Sequence, residues 1–187
     1  PAEVVTPRGH NATMSFPRVI AIALDGTLLD SNGAVTERAR HVLNAASEAG
    51  TRVVIVTGRP PRATDAIAEL FDCAAVVCPT GAHIRVPGQD TPLRELDRGT
   101  AEKILGPPPE TLPGSGFGVD NGTAFFHDTV YLRHLPAWVP RNDVGGVLDP
   151  PEGLLDAASP RLKLVARSSS HPVEQMLTTA EAAVGEL

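Results

Sequence analysis

Two short segments hold the residues able to do chemistry. One is Ala23-Leu24-Asp25-Gly26-Thr27-Leu28-Leu29-Asp30, and the other is Val56-Thr57-Gly58-Arg59-Pro60. Asp25 offers a carboxylate that can move a proton and Thr57 a hydroxyl. The Gly-Thr and Thr-Gly turns offer backbone N–H groups that no side chain crowds. Such a set suits a phosphate, which needs several hydrogen-bond donors and an acid or base beside its bridging oxygen. Taken singly, Asp-Gly-Thr and Thr-Gly-Arg are ordinary turn sequences. Their meaning depends on whether the 31 residues between Asp25 and Thr57 fold so that the two meet.

Each segment follows an aliphatic run. Residues 18–24 (R-V-I-A-I-A-L) read as a strand covered on both faces, 53–56 as a second buried strand, and 74–77 as a third. Between the first two, Thr36 can cap a helix with Ala39, Val42, Leu43 and Ala46 on its apolar stripe, ended by Gly50. Pro60-Pro61 is read as opening a second helix, with Ala63, Ala66, Ile67 and Leu70 inward. The order βαβαβ predicts a doubly wound parallel sheet with right-handed crossovers and a ligand site at the carboxyl ends of its strands. That topology brings Asp25 and Thr57 together and sets the Thr57-Gly58 turn at a helix N-terminus.

The remainder differs in kind. Residues 18–78 contain 6 Gly and Pro in 61 positions, whereas 79–160 contain 23 in 82, so a turn-rich module follows a regular one. In it the pattern predicts a helix over 98–105, strands over 117–119, 124–132 and 162–167, and a loop at Pro107-Pro108-Pro109. A last helix opens at Pro172, with Val173, Met176, Leu177, Ala180, Val184 and Leu187 expected to pack on a small sheet.

Composition excludes several functions. Sixteen Lys and Arg against 22 Asp and Glu give a net charge of −6, so no basic surplus exists to neutralise nucleic-acid phosphates. The longest aliphatic run, residues 19–24, is far below the ~20 residues that span a bilayer. Residues 1–15 lack the apolar stretch of a secretory signal, so a cytoplasmic protein with an N-terminal extension is expected. Cys73 and Cys78 are too few for a disulfide framework and read as reduced thiols. The six histidines show no metal-binding spacing.

The segments V-I-A-I-A-L-D-G-T-L-L-D (19–30), R-V-V-I-V-T-G-R-P (52–60) and V-V-C-P-T-G-A-H-I (76–84) resemble the haloacid dehalogenase superfamily, and within it the Cof-like sugar phosphatases. The resemblance implies a Rossmann-like core whose first half covers 16–82, and a smaller α/β cap over 83–187. It implies hydrolysis of small phosphorylated metabolites, sugar phosphates among them, through an aspartyl-phosphate. Asp25 matches the acid that protonates the leaving oxygen and then activates water, and its backbone carbonyl matches a magnesium ligand. Thr57 matches the phosphate-holding hydroxyl. Gly26, Thr27, Gly58, Arg59, Thr80 and Gly81 fall on substrate-binding positions, with Thr80 standing where the branch has Asn.

Two departures follow. The nucleophile position holds Ala23, whose methyl group can neither attack phosphorus nor bind magnesium, and a loss of roughly 10⁶ in rate, about 8 kcal/mol, is expected. The family's phosphate-binding lysine and acidic magnesium cluster belong to a core segment after the cap, which no residue up to Leu187 supplies. Lys103 and Lys163 are expected to be solvated cap lysines. Without that core half, residues 19–24 would form an exposed edge, so the chain is expected to be a fragment, to pair with a second chain or a copy of itself, or to cover the edge with residues 1–15. Two functions stay open: an inactive relative of a magnesium-dependent phosphatase, or a non-catalytic phosphate-binding or protein-interaction module. A receiver-like or nucleotide-binding domain fits less well, for want of an acidic cluster at the first strand end and a glycine-rich nucleotide loop.

Overall fold

The structure is a computed structural model that describes residues 17–92, 94–105, 112–135, 145–149 and 153–185. The three aliphatic runs form β1 (Val19–Ala23), β2 (Arg52–Val56) and β3 (Ala75–Cys78), adjacent and parallel in that order. Between β1 and β2 lies α1 (Glu37–Glu48), which starts as predicted because the Thr36 hydroxyl accepts from the Ala39 N–H at 3.2 Å. Leu43 carries α1 into a core shared with Leu24, Leu28, Val53, Ile55 and Phe71.

β1 departs from expectation. Val19, Ala21 and Ala23 are exposed and Ile20 and Ile22 half-buried, so the strand is not covered on both faces. Among the described residues it pairs with β2 alone and lies at the edge of the sheet. Val42, expected inward, is 57% exposed, because no described strand lies beyond β1 to cover it.

The second helix is also corrected. Pro61–Ala63 forms a 3₁₀ turn, and α2 (Asp65–Ala68) is a single turn with no buried residue, while Leu70 is 43% exposed. Thr64 breaks the path at φ −113, its hydroxyl donating to the Pro61 carbonyl at 2.7 Å. A hydroxyl that bonds locally competes with helix continuation. The Thr57-Gly58 turn therefore does not sit at the N-terminus of a real helix.

After β3 the chain turns back as β4 (His83–Val86) and β5 (Gln89–Pro92), both antiparallel, giving a mixed sheet β1-β2-β3-β4-β5 in place of the wholly parallel one expected. The hairpin keeps residues 83–92 on the first sheet, and the change of sheet falls after Pro92.

The turn-rich part builds a second sheet. It comprises α3 (Arg98–Leu105), β6 (Gly116–Asp120), β7 (Phe125–His127), α4 (Thr129–Arg133), β8 (Gly145–Val147), α5 (Gly153–Ala157), β9 (Lys163–Arg167) and α6 (Val173–Val184). The strand order is β8-β7-β6-β9. Val119, Ala101, Leu105, Leu154 and Leu155 form its core. The single strand read over 124–132 stops at His127, because the Asp128 carboxylate accepts from the Tyr131 N–H at 2.6 Å and caps α4. The same carboxylate accepts from the Phe117 N–H at 2.8 Å. α6 forms where its periodicity placed it, but it meets α3 rather than the sheet, and Val173 and Leu177 are 75% and 56% exposed. The readings of residues 1–15, of Pro107-Pro108-Pro109 and of Leu187 lie outside the described residues. Among the described residues no helix is long and apolar enough to cross a membrane. Cys73 and Cys78 are reduced thiols, and burial pushes the Cys73 thiol up.

Candidate phosphate-binding site

The parallel register sets Ala23 opposite Val56, so the residues that follow them leave the sheet side by side. Leu24 is buried and anchors a wide turn over Leu24–Leu28, closed by the Leu29 N–H donating to the Leu24 carbonyl at 3.0 Å. Gly26 takes φ +71 in that turn, a left-handed conformation that a side chain disfavours. On the neighbouring tip Thr57 is buried, its N–H held by the Val77 carbonyl at 2.9 Å and its own carbonyl by the Thr80 N–H at 3.0 Å. These two bonds tie the Thr57 loop to the β3–β4 turn.

Asp25 and Thr57 thus occupy adjoining tips, as the topology predicted. Arg59 joins them: its backbone N–H donates to Thr57 Oγ1 at 3.1 Å, while its Nε and Nη2 donate to Asp25 Oδ2 and Oδ1 at 3.0 and 2.6 Å. This fork is the strong geometry for a guanidinium and a carboxylate. Its hydrogen bonds hold the Asp25 carboxyl below the usual carboxylate range and push the Arg59 guanidinium up. Asp25 is therefore held ionised, and Arg59, read from the sequence as a substrate contact, spends its fork on Asp25.

Thr80 and Gly81 form the tip between β3 and β4, at φ +51 and +95. Thr80 comes close to Gly58: a Cβ on Gly58 would meet Thr80 Cγ2 at 3.8 Å. Gly81 is a turn residue. Thr27 faces away, lining a hollow of about 490 Å³ with Ile22, Leu28, Leu29 and α1 residues. Ala23 is exposed at the end of β1.

Three participants were not found by sequence reasoning. Lys163 Nζ donates to the Gly58 carbonyl at 3.1 Å through a solvent-exposed hydrogen bond, so a lysine expected only to be solvated also reaches the Thr57 loop. Arg62 Nη1 and Nη2 donate to Asp120 Oδ1 and Oδ2, both at 2.9 Å, and Nη1 also reaches the Gly122 carbonyl at 3.3 Å. This pair docks the β6–β7 hairpin on the Pro61–Ala63 turn. Gly122, at φ +92, approaches so closely that a Cβ there would meet Leu162 Cδ1 at 3.0 Å and Pro61 Cγ at 3.8 Å. The Asp120-Asn121-Gly122 sequence signals a hairpin, but nothing in it signals that the hairpin tip lands on Arg62.

The described donors do not fit a magnesium ion. Ala23 brings no oxygen in its side chain, Arg59 takes both Asp25 oxygens, and no described His, Cys, Asp or Glu side chains gather in threes. A hard cation wants several free oxygens.

The sequence profile of haloacid dehalogenase-like hydrolases matches residues 20–106. YxeH of Bacillus subtilis (strain 168), to which phosphatase activity is ascribed, is 49% identical over 43 residues, which are 23% of this chain and 16% of YxeH. Among solved structures, the subclass IIB sugar phosphatase BT4131 superposes with a TM-score of 0.63 at 14% identity, over 90% of this chain and 64% of that one. TM0651 from Thermotoga maritima superposes with a TM-score of 0.55 at 20% identity, over 75% of this chain and 53% of that one. At such identities the likeness is one of fold. The chain spans a sixth of the length of YxeH and about half to two thirds of these structures. Over residues 20–106 the chain is thus similar to haloacid dehalogenase-like hydrolases, with its motifs in the Cof-like pattern, and beyond that segment the likeness is one of fold.

Proposed function

We propose that this chain carries a phosphate-cradling site descended from phosphatases of small phosphorylated metabolites, sugar phosphates among them, and that it binds the phosphoryl group without hydrolysing it. The observation that carries the reading is Ala23 at the end of β1, beside an Asp25 that Arg59 has already engaged. The Thr57 hydroxyl and the Gly58 backbone N–H remain to hold phosphate oxygens. A methyl group at 23 closes the aspartyl-phosphate route, whatever metal is supplied. The Arg59 fork favours the non-catalytic form of the reading, since a carboxylate held ionised is a weak proton donor to a leaving oxygen.

Titration with inorganic phosphate and a panel of sugar phosphates, followed by calorimetry or ³¹P NMR, should give saturable binding with no phosphate release. Ala23→Asp in the full-length protein with magnesium should gain release. Turnover by the unaltered protein would sink the non-catalytic reading, and failure of every phosphate compound to bind would sink the phosphate reading. The proposal extends to the β1 edge, which in the cytoplasm would be covered by a second chain or a copy of this one; a monomer at all concentrations in sedimentation would remove that part.

A further inference from the structure

We propose that Lys163, carried in by the second sheet, is a phosphate-binding residue of this site and supplies the charge that its other groups lack. The inference rests on the phosphate reading above and adds the residue that would make the cradle cationic.

Position comes first. Lys163 Nζ lies 3.1 Å from the Gly58 carbonyl, and a Cβ on Gly58 would find Nζ and Thr80 Cγ2 equally at 3.8 Å. The ammonium therefore stands over the Thr57-Gly58-Arg59 loop, on the side where the β3–β4 tip approaches it.

That position is anchored at the strand that carries it. Lys163 pairs with Asp120 across the β6–β9 ladder, and the Leu162 N–H donates to the Asp120 carbonyl at 2.9 Å. Asp120 is the residue that Arg62 grips with both guanidinium arms, and Arg62 belongs to the turn directly after the Thr57 loop. The rung bearing Lys163 is thus fastened to the same stretch of chain that its ammonium reaches. An exposed lysine swinging freely into a carbonyl would need no such docking.

Charge supplies the ligand class. Arg59 is neutralised by Asp25 and Arg62 is engaged by Asp120. Among the described residues no carboxylate lies within ion-pairing distance of Lys163, whose ammonium gives one of its three donors to a neutral carbonyl. Two donors and a positive charge remain on the Gly58 loop, which also carries the Thr57 hydroxyl and the Gly58 N–H. A compact ammonium of this kind pairs with a phosphate oxygen as a point charge.

The test uses the whole protein and inorganic phosphate. Lys163→Gln should raise the phosphate Kd about tenfold or more, and Lys163→Arg should stay within about threefold of the unaltered protein. A second measurement needs no variant: the chain has two lysines, Lys103 and Lys163, so reductive methylation read by mass spectrometry carries its own control. Phosphate should slow methylation of Lys163 and leave Lys103 unchanged. If the unaltered protein binds phosphate while Lys163→Gln binds it equally well, or Lys163 is not protected, the inference is overturned and the cradle reading survives. If the unaltered protein binds no phosphate, the cradle reading falls and this one with it.

Discussion

Two arginines three positions apart in one loop do the same chemistry with opposite consequences. Arg59 grips Asp25 and Arg62 grips Asp120, each through a two-pronged guanidinium–carboxylate fork. The side chains of the first pair are 33% and 63% exposed, those of the second 22% and 7%. Water competes for the exposed pair and screens it, so it can open for a ligand at little cost. At the second, removing either partner strands a desolvated charge. The difference is burial, and it makes one fork an adjustable part of the site and the other the fastening that brings the second sheet to it.

The largest test of this contrast is to cut the buried fork. Arg62→Ala or Asp120→Ala should destabilise the protein by about 3 kcal/mol in denaturant melts, because the remaining charge stays buried without its partner. A loss below about 1 kcal/mol would show that the two forks are energetically alike. Next in size is Gly122→Ala on the docked hairpin: φ +92 and the 3.0 Å approach of Leu162 should together cost about 2 kcal/mol by the same measurement.

On the opposite tip the sign reverses. Thr80 holds a β-branched side chain at φ +51, so Thr80→Asn, with a residue that tolerates this conformation, should stabilise by about 1 kcal/mol. Smallest is the exposed fork, where Arg59→Ala should cost less than about 1 kcal/mol, and less again in high salt. Its pH signature fixes the direction. Arg59 lowers the folded pKa of Asp25, so the pair's contribution is present above the ordinary carboxylate value of about 3.9 and is lost as pH falls through the lower folded value. Melts of the unaltered protein and Arg59→Ala should therefore converge in acid and run parallel from pH 6 to 8. A gap that widens in acid would contradict the fork.

Much of the local structure was legible before any coordinates. α1 begins at Glu37 because Thr36 can cap it, and α3 spans the residues its pattern named. Two of the departures share a cause, a long-range partner that overrides a local pattern, and the third is a local hydrogen bond. Residues 124–132 read as one strand until Asp128, bonded to Phe117 from β6, ended it. Pro60-Pro61 read as a helix start, but Thr64 turned its hydroxyl back to Pro61 and cut the helix short. α6 kept its periodicity and, among the described residues, packs chiefly against α3. Of the site, the Asp25 and Thr57 tips were legible because parallel strands in sequence order are neighbours in space.

By itself, then, the sequence determined the three parallel strands, the two turns at their ends and the alanine at position 23, where the resemblance expects a nucleophile. These depend on aliphatic runs, turn residues and side-chain chemistry, all of which act over a few positions. Only the tertiary structure decided that Arg59 closes on Asp25, that Arg62 holds Asp120, and that Lys163 reaches Gly58 across 105 positions. A charged side chain carries no record of its partner in the residues beside it. Whether it is solvated, paired or poised over a site depends on which surfaces the fold brings together and how much water it leaves between them.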